Sequence, residues 1–325
     1  MYIVTGAAGL IGSSIVWALN QRGISDILAV DHLGTGEKWK NIRALQYADY
    51  QEKDLFRQRL RERNLPADIQ AIIHMGACSS TTEKDASYLI DNNFNYTREL
   101  AEYCVENGIR FIYASSSATY GDGSHGYKDD ETRLSELRPM NMYGYSKHMF
   151  DLWAARQGIL NRITGLKFTN VYGPNEQHKG DMRSIVSKAY EQIVATGKLQ
   201  LFRSHRPDYR DGEQRRDFLY AKDAVDMVLF LLDHPHGFGI YNIGSGKAET
   251  WNALAEAIFG AMEREVNLEY VDMPLHLRDR YQYYTCAEMN KLRQLGYNRP
   301  AMSLTNAVTD YIRVYRAHEK FMGDE

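Results

Sequence analysis

The sequence TGAAGLIG occupies residues 5–12, directly after the apolar run Tyr2-Ile3-Val4. It opens a segment whose apolar residues recur at helical spacing: Leu10, Ile11, Ile15, Val16 and Leu19. A strand that turns through glycines into a helix predicts a phosphate site, because the N–H groups of a helix N-terminus attract anions. We expect Gly6 to allow the tight turn, Gly9 to let the backbone approach phosphates, and Gly12 to let the helix pack closely on the sheet.

The glycine spacing is GxxGxxG, and such a loop alone also occurs at strand-to-helix turns that bind nothing. Its context strengthens the prediction. A second apolar run, Ile27-Leu28-Ala29-Val30, ends at Asp31, about 20 residues further on, where a carboxylate binds a ribose hydroxyl in dinucleotide sites. The runs 71–74 and 111–114 predict two more buried parallel strands, each after a helix-length segment. The sequence therefore predicts a dinucleotide site.

The alternation of strands and helices over residues 1–170 predicts an α/β fold, a doubly wound parallel sheet that carries the dinucleotide. Residues 171–325 are expected to form mainly a smaller α/β substrate domain, from which segments near 217–245 return to the sheet. That part contains a predicted helix near 184–196, a strand at 199–202 and a polar loop at 204–214. The loop is interpreted equally well as a lid or as a plain surface excursion. Residues 321–325 are expected to fray.

Length and charge narrow the functional classes. The 325 residues suffice for one enzyme-sized unit, and the net charge of -3 predicts no global attraction to nucleic acid or to an anionic membrane. No apolar run approaches about 18 residues, so a soluble, cytoplasmic protein is expected. The cysteines Cys78, Cys104 and Cys286 lie far apart without CxxC spacing. They are expected to be reduced, and no metal site is predicted.

A second signal, Tyr143-Gly144-Tyr145-Ser146-Lys147, predicts the chemistry. Tyr143 and Lys147 are four residues apart, so on a helix both side chains emerge from one face. A phenol with a pKa near 10 is a poor base, but a nearby ammonium and a positive nicotinamide ring would lower that pKa. Ser116, just after a predicted strand, would hydrogen-bond the reacting oxygen, and Lys147 would hold the nicotinamide ribose. Alone, YxxxK is more often a solvated helix face.

Taken together, the glycine-rich loop, Ser116 and the YxxxK motif resemble the extended short-chain dehydrogenase/reductase family over nearly the whole chain. Further stretches resemble the branch of this family that epimerises ADP-linked heptoses at C6: 76–83, 91–93, 168–174 and 178–180. The resemblance implies a Rossmann domain with a small C-terminal substrate domain, and a tightly held NADP. It also implies an isomerase that supplies heptose to the lipopolysaccharide core. Relatives form homo-oligomers, including pentamers, so a homo-oligomer is expected.

Inversion of a carbon centre requires hydride to leave one face and return to the other, so a proton carrier is needed on each side. The resemblance assigns these roles to Tyr143 and to Lys179 of the HKG segment. Without the resemblance, a lysine in a polar loop is more often a solvated charge. The catalytic prediction therefore comprises Tyr143, Lys179, Ser116 and Lys147.

The choice of cofactor depends on opposing charges. Asp31 would repel a 2′-phosphate and favour NAD, whereas Lys38 and Lys53 match family lysines near the adenosine phosphate and favour NADP. NADP is predicted, with NAD possible. The other contacts implied by the resemblance are Leu10, Ile11, His32, Met75, Gly76, Ala77, Cys78, Ser79, Asn92, Lys147, Val171 and Lys179. Met75 stands where an acidic residue is expected, and simple packing explains it best.

For the substrate, a nucleotide-sugar, the resemblance implies contacts from Asn170, Asp181, Lys188, Phe202, Arg203, Ser204, His205, Arg216 and Tyr281, besides Ser116. Arg216 is the best candidate for the diphosphate, because a guanidinium grips phosphate oxygens in bidentate fashion. Phe202 is expected to cover the adenine.

Two other functions stay open. A nucleotide-sugar 4-epimerase needs the same serine, tyrosine and lysine, and only the HKG segment and the pocket residues argue against it. A non-catalytic NADP-sensing module is disfavoured because Ser116, Tyr143 and Lys147 are all present. A 4,6-dehydratase is also disfavoured, since Ser117-Ala118-Thr119 lacks the acid and base that expel water.

Overall fold

The computed structural model describes residues 1–278 and 281–324. The strands are β1 Tyr2–Thr5, β2 Ile27–Asp31, β3 Asp49–Glu52, β4 Ala71–His74, β5 Arg110–Ser116, β6 Ile163–Phe168, β7 Asn170–Tyr172, β8 Leu199–Phe202, β9 Arg215–Arg216, β10 Phe218–Tyr220, β11 Gly239–Ile243, β12 Glu249–Thr250 and β13 Leu268–Val271. The α-helices are α1 Leu10–Gln21, α2 Lys53–Arg61, α3 Ala86–Leu89, α4 Tyr96–Asn107, α5 Met142–Arg156, α6 Ile185–Thr196, α7 Ala221–Asp233, α8 Trp251–Ala261, α9 Leu275–Arg278, α10 Asn290–Gln294 and α11 Leu304–Asp310.

The main sheet has seven parallel strands in the order β3-β2-β1-β4-β5-β6-β11. Tyr2 pairs with Ile27 on one side and Ala71 on the other, so the chain reverses its direction of winding between β1 and β4. Such a switch point leaves a crevice at the carboxyl ends of the strands, where ligands bind in open α/β sheets. The predicted doubly wound sheet is confirmed.

Both faces of this sheet are covered, because successive strand residues point to opposite sides. Ile3 packs into the cluster formed with α2, α4 and α5, whereas Val4 packs into the cluster formed with α1 and α7. The central strands β1, β2 and β4 are therefore apolar over most of their length rather than alternating, as is typical of a parallel sheet between two helical layers, whereas the edge strand β3 is polar.

The C-terminal half builds a second apolar cluster around α6, α8 and α11. Helix α6 begins at Ile185 because the Ser184 side chain accepts the Ser187 N–H and caps its first turn. Strand β8 pairs in parallel with β13, which lies nearly 70 residues later in the chain. Strand β11 joins the main sheet beside β6, as expected for the returning segment. The domain boundary near residue 170 stays a prediction.

The end of the chain differs from the sequence expectation. Met322 is buried, and its backbone N–H donates to Asn175 Oδ1 at 3.0 Å. Asp324 pairs with Arg43 at 2.8 Å. The expectation that residues 321–324 fray is wrong, because this segment buries apolar side chains against the rest of the molecule; residue 325 lies outside the described residues. No helix within residues 1–278 and 281–324 has the length and apolar character needed to cross a membrane.

Candidate active site

The glycine-rich loop has the geometry that its sequence predicts. Gly6 has φ +66°, and a Cβ there would lie 2.6 Å from the Gly76 nitrogen. A Cβ at Gly12 would overlap the Gly6 carbonyl oxygen, so α1 approaches the loop more closely than any other residue would permit. Gly9 is the N-cap residue of α1, and no side chain caps this helix. The N–H groups of its first turn thus remain available to an anion.

A cavity of about 260 Å³ lies at this helix end. Sixteen of its lining residues were predicted from the sequence: Gly6, Gly9, Leu10, Ile11, Gly12, Asp31, Lys38, Met75, Gly76, Ala77, Ser79, Ser116, Tyr143, Lys147, Val171 and Lys179. The glycine-rich loop and the predicted catalytic residues, far apart in sequence, therefore meet in one place.

The local structure explains how Ser116 and Tyr143 come together. Ser116 ends β5, and its hydroxyl accepts the Ala118 N–H at 3.1 Å. Asn141 caps α5 by accepting the Gly144 N–H at 2.8 Å. A Cβ at Gly144 would lie 2.8 Å from the Ala118 carbonyl oxygen, so only glycine allows α5 to approach the turn after β5 this closely. Tyr143 and Ser116 therefore line the same cavity.

Burial controls the proton affinities here. It raises the pKa of Tyr143, and the neighbouring Ser116 side chain opposes that rise. It lowers the pKa of Lys147 to about 8. It also lowers the pKa of Lys179, where the Glu176 carboxylate acts in the opposite direction. In the protein without a cofactor, the expected lowering of the Tyr143 pKa is therefore wrong, because burial raises this pKa by more than the neighbouring groups lower it. A lowered Tyr143 pKa in the complex with the cofactor stays a prediction.

Lys147 shows that the cavity fits a nicotinamide dinucleotide. Its side chain is 2% exposed, and its Nζ has no hydrogen-bond partner within residues 1–278 and 281–324. A buried ammonium without a partner is costly, and ribose hydroxyls would satisfy it. With the uncapped end of α1 at the same cavity, the residues suit a ribose and a pyrophosphate.

Asp31 is already engaged by protein groups. One carboxylate oxygen accepts the Ala8 N–H at 2.7 Å, and the other accepts the His32 N–H at 2.7 Å. Lys38 forms an ion pair with the same carboxylate. The negative charge that was expected to repel a 2′-phosphate is thus largely neutralised.

A second cavity, of about 550 Å³, adjoins the first, since Val171 lines both. Its lining includes the predicted substrate residues Asn170, Lys188, Phe202 and Tyr281. Arg216 lies beside it with its guanidinium 5.1 Å from the ring centre of Tyr281 and 5.8 Å from that of Trp251. Burial lowers the pKa of Arg216, and no carboxylate among the described residues pairs with it. This guanidinium is therefore suited to an anionic ligand.

The model of the family described as "NAD dependent epimerase/dehydratase family" matches residues 2–244. The chain belongs to this family. A relative from Nitratidesulfovibrio vulgaris, named ADP-L-glycero-D-manno-heptose-6-epimerase, is 55% identical over 98% of each chain. A solved Helicobacter pylori structure of that name superposes with a TM-score of 0.80 at 23% identity, over 97% of this chain and 96% of the other. A UDP-N-acetylglucosamine 4-epimerase from Methanobrevibacter ruminantium gives the same TM-score at 21% identity, over 98% of both chains.

The predicted fold and family are thereby confirmed. The family's name also supports the coarser cofactor prediction, a nicotinamide dinucleotide, without deciding between NAD and NADP.

Several predicted contacts of this epimerase/dehydratase chain lie outside the linings of both cavities. Lys53 donates to Asn92 at 3.1 Å, and the backbone N–H of Cys78 donates to Asn93, the residue after Asn92. The predicted contacts Lys53, Cys78 and Asn92 therefore lie close to one another. His32 is exposed and contacts Glu52. The remaining members are Arg216, described above, and Asp181, Arg203, Ser204 and His205, of which His205 contacts the Tyr283 hydroxyl at 2.8 Å. These contacts stay predictions.

Some lining residues were not assigned from the sequence: Ala114, Ser115, Phe168, Thr169 and His178. His178 stands next to Lys179 in the HKG segment, which was the available signal. Met75 packs against the core cluster and lines the cavity, as its packing interpretation predicts. All three cysteines are free thiols, and no three metal-binding side chains come together in the described parts of the chain.

A buried ion pair links two of the elements that carry the site. Asp151 on α5 and Lys167 on β6 are 3.0 Å apart and are almost fully buried. Asp151 also accepts the Ser115 hydroxyl at 2.8 Å, and Lys167 donates to Thr119. Thr119 in turn donates to the Ser116 carbonyl at 2.8 Å. The network thus connects the helix that carries Tyr143 to the strand that carries Ser116.

Proposed function

We propose that this chain is an ADP-glyceromanno-heptose 6-epimerase, which interconverts the ADP-D-glycero- and ADP-L-glycero-D-manno-heptoses and supplies heptose for the lipopolysaccharide core. The observation that carries the proposal is the convergence of Tyr143 and Lys179 on one cavity. They come from different elements, a helix and a turn over residues 177–182, so they can approach a sugar carbon from two sides.

The residues have distinct tasks in this reaction. A bound nicotinamide dinucleotide supplies reversible hydride transfer. Ser116 donates a hydrogen bond to the reacting oxygen and keeps it beside Tyr143. Either Tyr143 or Lys179 removes the proton of the C6 hydroxyl, and the other returns a proton after the sugar has turned. The lowered pKa of Lys179 suits it to this role, because burial favours the neutral amine, the form that can accept a proton.

The second cavity supports an ADP-sugar. Arg216 offers a buried guanidinium to the diphosphate, and Phe202 offers an aromatic face to the adenine. The relative that is 55% identical carries the same activity in its name. The likeness of fold does not separate this function from 4-epimerisation, since solved structures of both kinds superpose equally well.

NADP is the proposed cofactor. The ion pair between Lys38 and Asp31 removes much of the repulsion that Asp31 alone would exert on a 2′-phosphate. The exposed imidazole of His32 is the next residue in the chain and adds a polar group beside it. The homo-oligomer, a pentamer by resemblance, is part of the same proposal.

The test is NMR of ADP-D-glycero-D-manno-heptose incubated with the purified protein in deuterated water. Inversion at C6 without deuterium at carbon is expected, because hydride returns from the bound cofactor rather than from solvent. UDP-glucose in a parallel sample tests the 4-epimerase. Turnover of UDP-glucose alone would replace the proposed substrate, and the absence of turnover with a bound cofactor would favour the non-catalytic module.

A further inference from the structure

Glu176 carries a fully buried carboxylate at the beginning of the turn that contains Lys179. Its Oε2 accepts the Ser184 N–H at 2.5 Å, and its Oε1 accepts the Ser184 hydroxyl at 2.6 Å and the Tyr311 hydroxyl at 2.9 Å. Hydrogen bonds to a charged carboxylate are stronger than those between neutral groups. Three of them therefore attach the start of this turn firmly to its surroundings.

The backbone of Glu176 also holds Lys179 directly. The Lys179 N–H donates to the Glu176 carbonyl at 3.0 Å, and the Lys179 side chain lines the cofactor cavity. The neighbouring His178 is held by a different partner, since its Nδ1 lies 3.0 Å from Asn41 Nδ2. The position of the Lys179 backbone thus depends on where Glu176 is fixed.

The partners of the Glu176 carboxylate lie in two other elements. Ser184 caps α6 by accepting the Ser187 N–H at 3.3 Å, and the first turn of α6 lines the second cavity. Tyr311 directly follows α11, is fully buried and lines neither cavity. One carboxylate therefore joins the turn of Lys179 to the wall of the second cavity and to the C-terminal helices.

The negative charge of Glu176 acts on Lys179 as well. Burial lowers the pKa of Lys179, and the Glu176 carboxylate opposes this effect. The other titratable groups that line the cofactor cavity are Tyr143, Lys147, His178 and the paired Asp31 and Lys38. Around Glu176 itself, Arg183 and Arg316 both pair with Glu191. Glu176 is therefore the carboxylate whose charge Lys179 experiences.

We propose that Glu176 is a positioning residue for Lys179: its buried carboxylate fixes the turn to α6 and to Tyr311, and so keeps the Lys179 amine beside the sugar carbon. This inference rests on the proposed function, in which Lys179 transfers a proton. A proton carrier must lie within hydrogen-bond reach of the group that it serves. Because a lysine stem is long and flexible, this reach depends on a backbone that does not move.

The first test observes the proton on Lys179 in the protein as purified. With ¹³C at the ε-carbon of every lysine, the NMR signal that is missing from Lys179→Met belongs to Lys179, and its shift follows the titration of the amine. Glu176→Gln removes the charge and keeps the shape, so the midpoint should fall by about half a pH unit or more. Tyr311→Phe, which keeps that charge, and Glu256→Gln, at an exposed position of α8, should leave the midpoint unchanged.

The second test separates kcat from KM for inversion at C6. Glu176→Gln should lower kcat by about 10-fold or more and change KM by less than about 2-fold, because a displaced Lys179 impairs proton transfer more than binding. Tyr311→Phe removes one donor to the carboxylate and should lower kcat by about 3-fold, so it tests the proposal independently of whether Glu176→Gln folds. Glu256→Gln should match the wild type.

An unchanged Lys179 midpoint in Glu176→Gln would overturn the proposal, as would a Tyr311→Phe variant with the kcat of the wild type. A lower melting temperature without either effect would leave Glu176 a purely structural role and would also overturn it. If the wild type failed to invert C6, the proposed function would be wrong, whereas the titration would still show whether Glu176 acts on the Lys179 amine.

Discussion

Lys147 lowers the stability of the folded protein without a cofactor, and it is also the residue predicted to hold the nicotinamide ribose. Its ammonium is buried without a partner among the described residues, and this burial lowers its pKa from 10.5 to about 8. Below pH 8 the folded protein must hold a charge that the unfolded chain exposes to water. A cofactor that hydrogen-bonds the ammonium would relieve this cost, so binding and stability are coupled at this one residue.

We therefore expect Lys147→Met to stabilise the cofactor-free protein at pH 7, by up to about 3 kcal/mol. Because the folded pKa is the lower one, the penalty is present below pH 8 and disappears as the pH rises towards 10.5. Urea unfolding of both proteins at pH 7 and pH 10 measures the difference. Lys247→Met, at an exposed position, is the control. A variant less stable than wild type at pH 7 would contradict the prediction.

A separate prediction concerns the two proposed proton carriers, Tyr143 and Lys179. Tyr143→Phe and Lys179→Met should each lower kcat for C6 inversion by at least about 100-fold, since each removes a group that transfers a proton. Tyr145→Phe should leave kcat unchanged, because Tyr145 is 46% exposed on another side of the same helix. The NMR assay of product formation provides the measurement. Full activity of either single variant would refute the assignment of two carriers.

At the scale of elements, the ion pair between α5 and β6 fixes the positions of the catalytic side chains relative to one another. Asp151 lies one helical turn after Lys147, and its carboxylate also raises the pKa of that lysine, against the larger effect of burial. Lys167 lies on β6 at the position that pairs with Ser115. The network therefore holds two separate elements at the spacing that Ser116 and Tyr143 need.

Asp151→Asn should destabilise the protein by about 3 to 5 kcal/mol, because it leaves the Lys167 charge buried and unpaired. Glu269→Gln breaks the exposed pair with Lys198 and should cost much less, because water screens both charges. The double variant Asp151→Asn with Lys167→Met should recover much of the loss. Chemical unfolding at pH 7 measures all of them, and equal costs at the buried and exposed pairs would show that burial is unimportant here.

At the scale of the whole molecule, three distant parts of the chain meet at Asn175. Its amide donates to the Ser13 hydroxyl at 2.9 Å and its Oδ1 accepts the Met322 N–H. Asn175 itself has φ +72°, a conformation that asparagine tolerates better than most residues. Helix α1, the segment just before Lys179 and the end of the chain thus support one another.

We expect Met322→Ala to cost about 2 to 5 kcal/mol of stability through the cavity that it leaves. It should also lower kcat, because the Met322 side chain anchors the segment whose backbone N–H holds Asn175, just before the turn of Lys179. Met302→Ala is the control, since Met302 is 40% exposed. Thermal unfolding and the NMR assay give the two readouts. A loss of stability with unchanged kcat would separate the C-terminal segment from the catalytic turn.

The local patterns were sufficient for the main elements. TGAAGLIG predicted β1, the turn and α1, because glycine conformations and helical spacing are properties of neighbouring residues. The strand that returns at 239–244 and the helix after Ser184 were also predicted. The end of the chain was misjudged, because a short terminal segment carries no local signal of the surface against which its apolar side chains pack.

Sequence alone determined the doubly wound sheet, the dinucleotide loop and the pair Tyr143 and Lys147, since each depends on spacing within one element. Three features arose only when the chain folded: the ion pair of Asp31 with Lys38, the amide of Asn41 that faces His178, and the burial that raises the pKa of Tyr143. These depend on distances between segments far apart in sequence and on the exclusion of water, neither of which a local pattern encodes.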